Sequence, residues 1–258
     1  MPRLQIELVP CLSDNYAYLV HDPDEGVCAI VDPSEPAPVK AALARHGLRL
    51  THILNTHHHF DHTGGNILLK QEFDAVVVGP EKDRDRIPGM DIGVSEAAPW
   101  MFGSHLARVL EIPAHTRAHI AFAFEGDEAV FTGDTLFAMG CGRLFEGTPA
   151  MMWASLSKLM QLDGRTAVYC GHEYTLSNGR FALTLEPGNA DLQARMADVQ
   201  QLRAKKAPTI PSTIDLEKRT NPFLRPNSPE IRHALDMAAA SDVDVFAEMR
   251  RRKDSFQG

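Results

Sequence analysis

Thr56-His57-His58-His59-Phe60-Asp61-His62, with Thr63-Gly64-Gly65-Asn66 behind it, sets four imidazoles and a carboxylate into six residues at the end of the strand-like run His52-Ile53-Leu54-Asn55. A polar turn has no need of so many nitrogen and oxygen lone pairs in one place. If the loop is extended, alternate side chains point the same way. His57, His59 and Asp61 then share one side, His58 faces the other, and His62, next to Asp61, is placed to serve a second ion. Imidazole nitrogen with carboxylate oxygen is the donor set of borderline cations such as Zn²⁺, and a catalytic site of that kind keeps a position open for water or substrate. The pattern points to metal-assisted hydrolysis; its plain alternative is a solvated polar loop that binds metal adventitiously.

Upstream of the loop, the short apolar runs Leu4 to Val9, Tyr16 to Val20 and Val27 to Val31, the last closed by Asp32-Pro33, read as strands of a meander. Cys11-Leu12-Ser13-Asp14-Asn15-Tyr16 between the first two reads as a polar turn. Ala37 to His46 has helical composition and stops at Gly47, a C-cap. The strand His52 to Asn55 then delivers the histidine loop at its carboxyl end, where open α/β sheets gather their ligands. Downstream, Gly64-Gly65 lets the chain turn closely past the site before an apolar helix, Ile67 to Phe73, and a valine-rich buried strand, Ala75 to Val78. Residues 81–100, with their charges, prolines and glycines, read as a surface loop.

Three later strands end alike. His105 to Ile112 hands over to Pro113-Ala114-His115, Ala129 to Thr132 to Gly133-Asp134, and Ala167 to Cys170 to Gly171-His172. Singly, each of these is a turn residue; if the strand ends share one edge, His115, Asp134 and His172 converge on the histidine loop. From Leu176 onward helical stretches replace strands, including Asp191 to Lys206 and Pro229 to Ala240, with Pro208, Pro211 and Pro222 breaking the pattern between them. A domain boundary is expected near residue 173.

With 258 residues and 44% apolar side chains the chain can bury a real core, as one large domain or one medium and one small. A net charge of −8 argues against nucleic acid as the main partner and leaves only a local basic patch to hold a small anion. Met1 to Glu7 lacks the apolar core of a secretory leader and no run is long enough to span a bilayer, so a cytoplasmic protein without a membrane partner is expected. Cys11, Cys28, Cys141 and Cys170 form no C-x-x-C pair and read as reduced, packed thiols; with histidine and carboxylate in supply, they are not expected as ligands.

The His57-x-His59-x-Asp61-His62 run resembles the H-x-H-x-D-H signature of the metallo-β-lactamase superfamily, and within it the chain is similar nearly end to end to the glyoxalase II (hydroxyacylglutathione hydrolase) family. The stretches Leu12 to Tyr16, Asp134 to Thr148, Asn221-Pro222-Phe223-Leu224-Arg225 and Arg250-Arg251-Arg252-Lys253-Asp254 carry that resemblance. It implies an α/β fold: an αββα metallo-β-lactamase-like sandwich over residues 1–173 for catalysis, and a smaller all-helical C-terminal domain over 174–258 for substrate binding. It also implies two divalent ions, zinc foremost, with iron or manganese as the other candidates. His57, His59 and His115 would bind the first, Asp61, His62 and His172 the second, and Asp134 would bridge them. Asp61 and Asp134 are then the carboxylates of the catalytic set, with a metal-bridging hydroxide as nucleophile, since such a site lowers the pKa of water from ~15.7 toward ~7.

The reaction so implied is hydrolysis of a small-molecule thioester, S-D-lactoylglutathione, to D-lactate and glutathione in methylglyoxal detoxification, by a monomer. A thiolate whose pKa lies near ~8.5 leaves without a dedicated acid. Arg143 fills a basic position for a glutathione carboxylate, and Tyr174 matches a tyrosine position. Arg250 and Lys253, three apart on a helix, share a face that can grip the glycine carboxylate, although the run alone reads as a solvated helix end. Phe145 stands where the family has a tyrosine; one lost hydrogen bond costs ~0.5–1.5 kcal/mol, hence a several-fold weaker KM. Ala114 and Ala118 stand where the family has glycine, which strains the turn if φ is positive there. His58 and His119 are expected as structural partners. The competing readings are a persulfide dioxygenase with one iron, which needs neither Asp61 and His172 nor the helical tail, and a metal-binding module of the same fold without turnover.

Overall fold

The computed structural model describes residues 3–257. Contacts divide the chain into two compact units, the first running to Glu111 and resuming over Ala118–Gly133, the second taking Ile112–Arg117 and everything from Asp134.

The first unit opens with the expected meander. Strands β1 (Gln5–Cys11), β2 (Asn15–Asp22) and β3 (Val27–Val31) pair antiparallel, and β2 is buried along its whole length. Helix α1 (Pro36–His46) starts on a proline, which suits a first turn whose N–H groups have no partner, and ends at Gly47 with φ 63 as its composition predicts. It crosses over to β4 (His52–Leu54), which lies parallel to β3. After the short helix α2 (Phe60–Thr63), α3 (Asn66–Phe73) makes a second crossover to β5 (Val76–Pro80), again parallel. Val39, Ala42 and Leu43 of α1 and Leu69 of α3 share one core with Leu19, Ile30, Ile53 and Val77 of the strands.

Residues 81–100, expected as a loop, hold a single 3-10 turn (Glu81–Asp83) and two short strands. β6 (Ile92–Val94) extends the sheet in parallel to β5, and β7 begins at Trp100. Three-residue strands are too short for alternation to reveal. β7 (Trp100–Phe102), β8 (His105–Glu111), β9 (Ile120–Phe124) and β10 (Ala129–Gly133) form an antiparallel ribbon. Tyr18 of β2 meets Phe131 of β10 with ring centroids 5.6 Å apart, so the first sheet packs helices on one face and this second sheet on the other.

In the second unit β11 (Leu136–Phe137) and β12 (Gly140–Cys141) make a tight hairpin. They are followed by α4 (Pro149–Leu159), capped by the Thr148 hydroxyl, and β13 (Ala167–Cys170). Helices then dominate as expected: α5 (Thr175–Leu185), α6 (Ala190–Ala204), α7 (Ile214–Thr220), α8 (Pro229–Leu235) and α9 (Asp242–Asp254). Two details differ. Ser212–Thr213 (β14) pairs with β13 inside the helical stretch, and α8 stops at Asp236, whose left-handed φ of 58 ends the helix before Ala240. Among the described residues no helix is long and apolar enough to cross a membrane.

Candidate metal centre

β4 ends at Leu54, and the buried residues Asn55, Thr56 and His57 continue it. The extended run stops at His59, which caps α2, so strict alternation does not reach Asp61 and His62. The helical turn instead brings the His62 ring back to 4.2 Å from that of His57, with His59 at 4.8 Å on its other flank. Asp61 Oδ2 lies 3.7 Å from His62 Nε2. His58 faces away, as alternation predicts: its Nδ1–H donates to Asp83 at 3.0 Å and its Nε2 accepts from Arg86 at 3.3 Å. His119 is a structural partner, stacked on His57 at 4.5 Å with its Nδ1 3.1 Å from the Ile120 carbonyl.

What turns the imidazoles was not visible as a motif. Asp32, buried at the end of β3, accepts the Thr56 backbone N–H on Oδ1 at 2.8 Å. Its Oδ2 accepts the Thr56 hydroxyl at 2.6 Å and His62 Nδ1–H at 3.1 Å. The Thr56 oxygen, having donated its proton, accepts His57 Nδ1–H at 3.0 Å. Both rings are thereby held in the tautomer whose Nε2 carries a lone pair, the form that ligates metal. Asp32, His57 and His62 offer ligand atoms within 4.8 Å of one another. Three donors already converge on the Asp32 carboxylate, which sets the orientation of the His62 ring directly and of the His57 ring through Thr56. Asn15, read from sequence as part of a polar turn, donates Nδ2 to both the carbonyl and Oδ2 of Asp61 at 3.1 Å and fixes that carboxylate. The available signal was positional: β3 runs parallel beside β4, so the residue after Val31 stands next to the residues after Leu54. Gly133, with φ 47, closes β10 against the same spot, where a Cβ would lie 2.3 Å from Thr56 Oγ1.

In the second unit Asp134, His115 and His172 come together, all buried. His115 Nε2 and His172 Nε2 each stand 3.3 Å from a single oxygen, Asp134 Oδ2. His115 donates Nδ1–H to the Arg143 carbonyl at 3.0 Å, so its Nε2 presents a lone pair to an anionic oxygen. Lone pairs set against one another in a buried place fit a shared cation, and the donor types are those of zinc, iron or manganese. Aromatic rings frame the group: Tyr174 lies flat on His172 at 4.7 Å, Phe137 meets both edge-on, and Phe145 meets His115 edge-on at 5.2 Å. Ala114 does sit at a positive φ of 143, fully buried, so the turn before His115 is strained; Ala118 is not among the positive-φ residues.

The expected substrate cations divide. The Arg143 side chain is largely exposed, with its nearest carboxylate, Asp254, at 4.0 Å. Lys253 is half-buried against the rings of Phe181 and Phe256 and donates to Ser177 at 3.1 Å. Burial, with Arg250 and Arg143 nearby, lowers its pKa to about 8. Arg250 is buried and committed: Nη1 donates to the Cys141 carbonyl at 2.8 Å, Nε and Nη2 donate to Asp254, and the guanidinium lies over Phe223. None of the four cysteines is in a disulfide and all are buried, and burial pushes the thiols of Cys141 and Cys170 up to about 11 and about 12. Among the described residues none belongs to a group able to hold a metal.

Two family models match the chain: metallo-beta-lactamase superfamily over residues 12–172 and hydroxyacylglutathione hydrolase C-terminus over 173–256. Among curated proteins, the hydroxyacylglutathione hydrolase of Methylococcus capsulatus is 53% identical over 99% of this chain and all of its own length. That of Maricaulis maris is 50% identical with the same coverage. Among solved structures, a protein crystallised in a di-iron-bound form is 27% identical over 84% of this chain and 98% of its own, with a TM-score of 0.61. A B3 metallo-beta-lactamase, BLEG-1, is 22% identical over 86% of this chain and all of its own at a TM-score of 0.66, a likeness of fold alone.

Proposed function

We propose a function from the premise that this chain belongs to the hydroxyacylglutathione hydrolase family of the metallo-beta-lactamase superfamily: it hydrolyses S-(2-hydroxyacyl)glutathione thioesters, S-D-lactoylglutathione foremost, to the 2-hydroxy acid and glutathione. Residues 1–173 are the catalytic part of this reading and 174–258 the substrate-binding part, a division supported by the adjoining family matches.

The ligands we assign, on the family's pattern, are His57, His59 and His115 for one ion, Asp61, His62 and His172 for the other, and Asp134 for both. Zinc is the assigned metal, on a donor set of imidazole and carboxylate. Held there, a pair of such cations would supply hydroxide at neutral pH and a Lewis acid for the thioester carbonyl. The protein's own residues do the rest. Asp32 and Thr56 keep the Nε2 lone pairs of His62 and His57 available, and Asn15 holds the Asp61 carboxylate in one orientation. Arg143 and Lys253 supply positive charge for the glutathione carboxylates, and Tyr174, Phe137 and Phe145 shield the histidines they touch from water. The four buried thiols, none in a disulfide, support a reducing compartment, the cytoplasm, where glutathione is kept as thiol.

The observation that carries the reading is the single Asp134 oxygen standing 3.3 Å from two imidazole nitrogens, as a shared carboxylate requires. The test is free-thiol release from S-D-lactoylglutathione by metal-replete protein without oxygen. The expected result is one thiol and one D-lactate per thioester, with turnover abolished and metal content reduced in Asp134→Ala. A native protein that releases no thiol, or an Asp134→Ala variant with full activity, overturns it.

A further inference from the structure

The hairpin β11–β12 lies between Asp134 and Arg143, and beyond its own strand pairing its main chain is held by side chains of the helical segments. Asn221 Nδ2 donates to the Phe137 carbonyl at 3.1 Å and the Gly140 carbonyl at 2.9 Å. Asn178 Nδ2 donates to the Ala138 carbonyl at 3.1 Å. The Met139 N–H donates to Glu217 Oε2 at 2.8 Å, and Arg250 donates to the Cys141 carbonyl. Five successive residues are thus held through backbone atoms, by groups from α5, α7 and α9 and from the segment that follows α7.

The tip is plugged as well. Met139, fully buried at a positive φ of 53, sends its side chain into the cluster of Ala182, Leu192, Met196 and Val199. A Cβ on Gly140 would lie 2.4 Å from Asn178 Nδ2, so no other residue fits beneath that amide. Behind the hairpin, Glu217 Oε1 accepts from Arg195 at 2.6 Å and from Ser212, while its Oε2 also accepts from Asn221 at 3.0 Å. Asn221 in turn caps Phe223 N–H with its Oδ1 at 3.1 Å. Both oxygens of Glu217 and both polar atoms of the Asn221 amide are used, and a satisfied network of this kind specifies one position for what it holds.

We propose that Asn221, backed by Glu217 and supported by Asn178, is a positioning residue for the hydrolytic site: it fixes the main chain of residues 137–141 and thereby sets where Asp134, just before the hairpin, and Arg143, just after it, can stand. Asn221 bonds to the backbone of Phe137, Gly140 and Phe223 and to Glu217, and acts through the backbone. The inference rests on the functional reading above for its catalytic consequence, but not for its structural one.

Two variants test it. Asn221→Ser retains a cap for Phe223 N–H and cannot reach the two carbonyls; Asn178→Ala removes one donor from the hairpin and leaves Asn221 in place. Ile231→Ala, a buried change in α8, serves as a control of comparable thermal destabilisation. The readouts are hydrogen exchange of amides 136–142, zinc affinity by chelator competition, and kcat and KM for thioester hydrolysis. Expected are at least tenfold faster exchange across 136–142, at least fivefold weaker zinc binding and a roughly tenfold lower kcat/KM in Asn221→Ser. Smaller changes in the same direction are expected in Asn178→Ala, and none of the three in Ile231→Ala. If Asn221→Ser does not fold, Asn178→Ala decides. Exchange, zinc affinity and kcat/KM all within twofold of native in the folded variants overturn the proposal. A native enzyme without thioesterase activity sinks the functional reading, while exchange and zinc affinity still judge the positioning role.

Discussion

Replacing Asp32 by asparagine removes one negative charge from the histidine loop without changing the side-chain volume, and the hydrogen bonds around it fix what must follow. In the native protein the two carboxylate oxygens receive three donors: Thr56 N–H, the Thr56 hydroxyl and His62 Nδ1–H. An amide has one oxygen and one NH₂. With its oxygen toward Thr56 N–H, the NH₂ faces the hydroxyl and the imidazole. His62 then moves its proton to Nε2, and the lone pair meant for metal is lost. With its oxygen the other way, the buried Thr56 N–H faces the NH₂ and loses its acceptor. Either arrangement costs about 1–3 kcal/mol, the penalty of an unserved buried donor. Partners of metal-bound histidines behave likewise on replacement, typically weakening metal affinity about 10–100-fold. Zinc competition against a chromophoric chelator at fixed pH measures this directly, with a thermal melt of the metal-free protein to confirm folding. A folded Asp32→Asn protein that binds zinc within twofold of native would show that Asp32 does not hold the tautomer.

Two further expectations concern pH. Lys253 is pushed down to about 8, first by burial and then by Arg250 and Arg143, so in the free enzyme it loses its charge as pH rises through that value. Its use for a glutathione carboxylate predicts that kcat/KM falls on the alkaline side with an inflection near 8, and that Lys253→Arg, which stays charged, removes the inflection; an identical profile in the variant refutes the role. His105 bridges Asp22 and Asp127 at 2.9 Å on either side; burial opposes its charge, but hydrogen bonds to the two carboxylates prevail and raise its pKa above 6.5. A raised pKa contributes stability in full below about 6.5 that fades as pH climbs through the folded value. The Tm gap between native protein and His105→Gln should therefore be widest near pH 6 and narrow toward pH 9; a gap that widens with pH excludes a charged clamp.

The readable and unreadable parts of the chain differ in kind. His57, His59, Asp61 and His62 announce themselves because metal chemistry needs scarce side chains at short spacing, and the strands before His115, Asp134 and His172 because apolar runs stop abruptly at a small residue. Secondary structure followed the same rule: α1 with its helical composition and Gly47 stop was legible, whereas β6 and β7, three residues each, were not. The extended reading of the histidine loop failed at Phe60, since four residues of helix leave no periodicity to detect, yet that turn is what sets His62 against His57.

Positioning residues are hidden for another reason. Asp32 carries meaning only once β3 is known to lie parallel to β4, and Asn221 only once the hairpin 81 to 84 residues before it is known to rest on its amide. Asn221 moreover meets mostly backbone groups, which every residue possesses, so no pairing of residue types betrays it. Arg250 makes the point most sharply. The family resemblance predicts a hand held out to substrate, while its guanidinium is spent on the Cys141 carbonyl and Asp254. Lys253, three residues on and with its pKa lowered to about 8 by burial, is the group on α9 that we propose for an incoming carboxylate. The charge a substrate meets is therefore decided by which donors the fold has already used, and sequence spacing cannot supply that subtraction.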